Sequence, residues 1–267
     1  MPTALLVLAA VLAGCAAVGE APAASATDAP AALGSPVPAT SRQMLLVTTD
    51  AWAATSGRMQ RYGRTAAGWQ AVGSPVDVVV GRSGLGWGLG LHAAAAARRG
   101  DPGKREGDGR APAGAFRLTA AFGYSASEPT GLPYVPTDAD VECVDDTTSA
   151  AYNTVRERTA DADWGSHEEM RLREGIYRIG VIVAHNGPGV DRGLVPGVSG
   201  AAVRAGGSCI FLHVWRSPTT ATAGCTAMPD AALQEILAWL DDEAEPVLVQ
   251  LPRAERARLG RAWGLPG

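Results

Sequence analysis

Cys209-Ile210-Phe211-Leu212-His213-Val214-Trp215, bounded by Gly206-Gly207 and Pro218, is followed by Thr222-Ala223-Gly224-Cys225-Thr226 and then by Pro229-Asp230. The first run is apolar, β-branched and aromatic between turn residues, which predicts a strand. The second is a small-residue turn. From Asp230 to about Asp242, Leu233, Ile236, Leu237 and Leu240 recur at i, i+3, i+4 and i+7 and predict a helix with one apolar stripe. Pro229 suits its first turn. Outward from this strand–turn–helix unit, Leu45–Val47, Val76–Val80, Ile176–Ala184 and Pro246–Pro252 read as further strands. The expected fold is mainly β with minor α, a mixed β-sandwich with one helix after the turn. A minor helix is expected over Ala150–Arg158, and Arg253–Gly267 reads as a basic peripheral tail behind a domain of residues 44–252.

The chain has 267 residues, 46% of them apolar and 19% charged, with a formal net charge of -4. That composition excludes a disordered chain. The acidic balance gives no electrostatic reason for a nucleic-acid partner, and a monomer is expected. The one prominent apolar run, Leu5–Ala13, is too short for a permanent span and suits a signal peptide over residues 1–15. It ends in Leu12-Ala13-Gly14-Cys15, which resembles the lipobox of bacterial lipoproteins, whose cysteine is lipidated. No Arg or Lys precedes the run, and ordinary cleavage near Ala24-Ser25-Ala26 is the competing reading. Residues 16–43, nearly all Ala, Pro, Ser, Gly and Thr, read as a flexible tether. The protein is therefore expected in the cell envelope or periplasm, held to a membrane through a lipid on Cys15.

Several chemistries are excluded. The single lysine, Lys104, has Asp101 three residues before it, so there is no Ser-x-x-Lys. Arg98 and Arg105 stand where a phosphate-binding loop needs Gly and Ser/Thr. The four histidines are scattered at 92, 167, 185 and 213 without a His-Glu-x-x-His motif. The acidic residues Asp138, Asp140, Glu142, Asp145 and Asp146 lack an EF-hand glycine and distal Glu, and read as a solvated loop. Neither metal nor cofactor is expected. Gly107-Asp108-Gly109 reads as a tight turn, and Trp87 as a packed aromatic.

With Cys15 assigned to the anchor, Cys143, Cys209 and Cys225 are an odd set, so one thiol is left over if two bridge. Cys209 and His213 share a strand face but lie roughly 13 Å apart. The chain after Trp215 can turn back at Pro218 and bring Cys225 beside His213, where imidazole and helix N-terminus would favour a thiolate. On spacing alone, Cys225 as a small buried filler and His213 as a satisfied core histidine is an equally open reading.

Val78 to Pro252 resembles the YkuD-type L,D-transpeptidase catalytic domain, a cysteine-enzyme family acting on peptidoglycan. The resemblance rests on the order His213…Gly224-Cys225 and on Glu106-Gly107-Asp108-Gly109-Arg110-Ala111-Pro112-Ala113-Gly114-Ala115-Phe116, similar to Gly-Asp-x-x-Thr-Pro-x-Gly-x-Phe. Thr222-Ala223 replaces the family's Ser-His, and Ala227 stands where it has Arg or Asn. The resemblance implies Cys225 as nucleophile and His213 as base. Backbone N–H groups at Gly224 and Cys225 would serve an oxyanion, and a carbonyl near Thr222 would orient the imidazole. Arg216 is a candidate for a stem-peptide carboxylate. The implied reaction is acyl transfer from a peptidoglycan tetrapeptide stem through a thioester to an amine, releasing D-alanine. An L,D-carboxypeptidase on the same scaffold and a non-catalytic wall-binding lipoprotein are the alternatives. In an oxidising compartment a Cys143–Cys209 disulfide is expected, steadying the strand of His213.

Overall fold

A computed structural model describes residue 1, residues 34–191, 194–195 and 200–267. The signal segment, Cys15 and most of the expected tether lie outside the described residues. The fold is mainly β with minor α. Its centre is β1 (Gln43–Thr49), buried except at Thr48, which pairs in parallel with β14 (Val247–Pro252) and antiparallel with β2 (Ser56–Thr65). Strands buried on both faces read as continuous apolar runs, as Leu45–Val47 and Val247–Leu251 do.

The main sheet runs on from β2 through β3 (Gly68–Val79), β13 (Thr226–Met228) and β12 (Phe211–Val214) to β10 (Ile179–Val183). On the other side it passes from β14 to β5 (Ala111–Gly123), which also pairs with β6 (Tyr134–Pro136), and on to β4 (Leu85–Trp87). Because β10 also pairs with β5, with Val181 opposite Ala121, the path returns to its start. A smaller sheet has the order β11 (Gly189–Val190), β8 (Thr154–Glu157), β7 (Val141–Val144), β9 (His167–Glu169). Strand alternation divides the interior. Leu212 and Val214 join the large core with Met44, Phe116 and Leu233, while Phe211 joins Phe122, Tyr177, Cys143 and Cys225 in a second one. His213, two residues from Phe211, faces that second side.

α1 (Asp230–Trp239) buries Leu233, Ile236 and Leu237, and Leu240 caps its end while still buried. Pro229 is the N-cap residue, one place before the expected first turn.

Four expectations are corrected. Residues 34–43 are not tether: Ser35 Oγ donates to Trp263 O at 2.8 Å, and Val37 and Ser41 are buried. Arg253–Gly267 is not a peripheral tail, because α2 (Arg253–Leu259) buries Leu259, and Trp263 packs at 1% exposure against Trp87 and His92. Arg253 and Arg261 face outward while Arg258 is largely buried against Glu255, so a basic sequence hides an apolar stripe. Ala150–Arg158 is a turn followed by β8, since β-branched Thr154 and Val155 join the small sheet. The acidic stretch is not uniformly solvated either. Glu142 is buried, accepting from Arg158 Nε and Trp164 Nε1, both at 2.7 Å. Burial works to raise its carboxyl, but those bonds and nearby His167 outweigh it and hold the group below the usual range.

Candidate active site

β12 and β13 run parallel with Leu212 opposite Thr226 and His213 opposite Ala227. The short connection across Pro218 therefore brings Cys225, one residue ahead of β13, beside the strand that carries His213. The N–H of Phe211 donates to Cys225 Sγ at 3.3 Å, and the thiol donates to Cys209 O at 3.4 Å. Cys209 is disulfide-bonded to Cys143 with Cα atoms 5.9 Å apart, and Cys225 is the free cysteine among the described residues. Both Cys225 and His213 line one cleft of about 510 Å³ between the main and the small sheet.

His213 Nδ1 bonds Val214 O at 2.8 Å. A carbonyl only accepts, so Nδ1 carries the hydrogen and Nε2 presents its lone pair. The orienting carbonyl is thus Val214's, not one near Thr222 as the sequence led us to expect. Thr222 shapes the turn instead. Its hydroxyl donates to Cys225 O at 2.6 Å and accepts from Gly224 N at 3.1 Å, while its own carbonyl accepts from Arg82 N at 2.8 Å. Gly224 has no positive φ; its need for glycine is space, since a Cβ there would stand 3.1 Å from Arg110 O.

Burial pushes the Cys225 thiol up to about 12, helped by the negative charge of Glu168 and opposed by the Phe211 N–H, Lys104 and Tyr177. Burial likewise lowers His213 to about 4; the Val214 carbonyl resists this and the Arg216 charge adds to it. Thiol and imidazole are both neutral at rest.

Gly107-Asp108-Gly109 is a tight turn in which the Asp108 carboxylate accepts from the N–H groups of Arg105 and Arg110. It also pairs with Lys104 Nζ at 2.9 Å. Lys104, 3% exposed at its side chain, thereby stands at the cleft wall near the Gly224 turn. Arg216 sits at the rim, exposed and 3.7 Å from Glu174. Trp87 is a packed aromatic, its indole donating to Asp101 at 2.9 Å.

A family model of the YkuD L,D-transpeptidase catalytic domain matches residues 51–249. The chain belongs to the YkuD family. Comparisons with curated proteins and with solved structures gave no match. As a YkuD-family domain the protein has the fold of enzymes with L,D-transpeptidase activity on peptidoglycan. Ala227, where the family pattern has a polar residue, is fully buried, pairs with Val79 and lies opposite His213. Its small side chain leaves that part of the cleft wall without a polar group.

Two groups of this YkuD-family cleft escaped the sequence reading. Tyr177, 6% exposed, sets its ring edge-on to His213 with centroids 5.1 Å apart. Its hydroxyl donates to Glu168 Oε2 at 2.9 Å. Burial raises Glu168 to about 7, the Tyr177 bond opposes this, and the charges of Asp145 and Glu106 add to it. No local motif marks either residue. Glu168 comes from the small sheet and Tyr177 from the approach to β10, so only the packing of the two sheets joins them.

Proposed function

We propose that this protein is a peptidoglycan L,D-transpeptidase in which Cys225 is the nucleophile and His213 its base. Cys225 Sγ attacks the carbonyl between the third and fourth residues of a tetrapeptide stem. His213 Nε2 takes the thiol proton and returns it to the departing D-alanine amine. The resulting thioester is then attacked by the amine of a second stem, which regenerates the thiol. A raised thiol beside a lowered imidazole means that no ion pair is preformed, so proton transfer accompanies attack. Gly224 N–H is turned onto Thr222, which leaves the amide of Cys225 to face the oxyanion. Arg82 and Arg216 at the cleft mouth offer guanidinium groups to stem carboxylates.

The observation that carries this reading is the free Cys225 thiol, held between Phe211 N–H and Cys209 O in the cleft that His213 also lines. A peptidoglycan substrate supports a location outside the cytoplasm, where a disulfide persists, and a lipid on Cys15 would hold the protein to a membrane as a monomer. The test is incubation with purified disaccharide-tetrapeptide and mass spectrometry of the products. Crosslinked dimer and free D-alanine support the proposal. Tripeptide alone would make it an L,D-carboxypeptidase, and unchanged substrate a wall-binding lipoprotein. Cys15→Ser should move the protein from the membrane to the soluble exported fraction.

A further inference from the structure

Lys104 is the chain's single lysine beside 22 arginines, and the acyl-transfer steps leave it without a task. Its backbone is fixed between β4 and β5, where its N–H donates to Trp87 O at 2.8 Å. Its side chain is 3% exposed and packs against Gly207, where a Cβ would stand 3.0 Å from Lys104 Cε. The ammonium ends beside the nucleophile turn, since a Cβ on Gly224 would stand 3.8 Å from Nζ. Glycine at these two positions leaves a slot for the lysine stem and open space around its charged end. Lys104 lines the same cleft as Cys225 and His213.

The count of donors agrees with that placement. Nζ donates to Arg105 O at 2.7 Å and to Asp108 Oδ1 at 2.9 Å. An ammonium has three N–H bonds, so among the described residues two are used and the third is left. A guanidinium would bring five donors in a rigid plane to this slot, a physical reason for lysine in a chain that otherwise uses arginine.

We propose that Lys104 supplies the positive charge that stabilises negative charge at Cys225 during acyl transfer, first on the sulfur and then on the oxyanion formed at the Gly224-Cys225 turn. The proposal rests on the reading of Cys225 as nucleophile. Lys104 keeps its proton throughout; His213 carries the proton transfers, and no bond to Lys104 forms or breaks. The other cations lining the cleft, Arg82 and Arg216, are exposed, so water and salt screen them more than a buried ammonium. Ala227 offers no polar group, and Glu106, Asp145 and Glu168, which also line the cleft, are acids. Asp108 does not cancel the ammonium. Its side chain is more exposed, at 19%, and its carboxylate also accepts from the N–H groups of Arg105 and Arg110, which spread its charge. Burial raises the Cys225 thiol, and the Lys104 charge is among the influences that pull it back down.

The test compares alkylation of Cys225 in the full chain by anionic iodoacetate and neutral iodoacetamide at one pH, with the adduct located by peptide mapping. The ratio of the two rates reports the potential at the sulfur and needs no peptidoglycan. Lys104→Met, which keeps the length of the stem, should lower the iodoacetate-to-iodoacetamide ratio about tenfold, equivalent to a charge interaction of about 1.4 kcal/mol. Lys104→Met/Asp108→Asn, which removes both charges, should also fall below wild type, and Asp108→Asn alone should rise above it. A purely structural lysine would slow both reagents alike and leave the ratio unchanged, which overturns the proposal. A double variant equal to wild type overturns it too, because the two charges would then cancel at the sulfur. Should Lys104→Met not fold, the rise in Asp108→Asn carries the expectation alone, and its absence overturns it. Carbapenem acylation of Cys225 should slow on the order of 10²-fold in Lys104→Met, the scale for one oxyanion donor. A loss confined to carbapenem affinity, with the maximal rate unchanged, would make Lys104 a carboxylate contact and overturn its role at the oxyanion. A ratio that responds as expected in a protein that leaves tetrapeptide and carbapenem unchanged would uphold the charge at the sulfur and defeat the transpeptidase reading.

Discussion

Cys225 donates its thiol hydrogen to the carbonyl oxygen of Cys209 at 3.4 Å, so the residue that closes the disulfide also holds the free thiol. Cys209 has φ 55°, the left-handed region that non-glycine residues avoid. The disulfide and a bond from its N–H to Asn153 Oδ1 at 3.0 Å keep it there. Stability and site geometry are therefore coupled at this one residue.

The Cys143→Ala/Cys209→Ala variant should lose about 4 kcal/mol of stability, the chain-entropy value for a closed loop of 66 residues. Cys209 should also leave its left-handed conformation, slowing Cys225 alkylation at temperatures where the variant is still folded. Denaturant unfolding and the alkylation rate check the two effects separately. Non-reducing peptide mapping that found both thiols free in the wild type would remove the basis for either.

A carbapenem should form one adduct, on Cys225, because its strained carbonyl stands in for the stem-peptide carbonyl. Intact-protein mass spectrometry should show the adduct absent in Cys225→Ala and slowed in His213→Ala. Labelling that survived Cys225→Ala would mean another nucleophile.

Two kinds of titratable group give opposite pH dependences. Glu168 is raised from 4.5 to about 7, so the native state keeps a proton there that the unfolded chain has lost, and stability from this group falls as pH rises through that window. Glu168→Gln should thus gain about 1–3 kcal/mol over wild type at mildly alkaline pH, and nothing below 4.5. His213 and His185 are lowered from 6.5 to about 4 and about 3, mainly by burial. The unfolded chain takes up protons there first, so stability from the histidines falls as pH drops below 6.5. Urea midpoints of wild type and Glu168→Gln over this range check both signs.

Trp263 is 1% exposed and packs against Trp87 and His92. Trp263→Ala should cost about 3–5 kcal/mol, the range for a large buried aromatic. Chemical denaturation would measure it; a change below about 1 kcal/mol would mean that residues 253–267 are peripheral after all.

Much of this protein was determined by local pattern. The β-branched runs at Leu45–Val47, Val76–Val80 and Val247–Leu251 read as strands because apolar side chains in extended backbone identify themselves without reference to partners. The Leu233, Ile236, Leu237 stripe identified α1 by its 3.6-residue period. Spacing alone left His213 and Gly224-Cys225 open to a buried-filler reading; the family resemblance singled them out, and a strand and a short return hold both residues in 13 consecutive positions of the cleft lining. What only the tertiary structure decided depends on contacts between distant segments. The Tyr177 ring that packs edge-on against His213 comes from a segment 36 residues earlier. Glu168 meets Tyr177 because β9 pairs with β7 and the disulfide draws that sheet onto Cys209. Arg253–Gly267 and residues 34–43 looked solvated by composition, yet each supplies apolar groups to a core whose other wall lies some two hundred residues away. Composition and period are properties of a segment; burial and protonation belong to the pair of surfaces that meet.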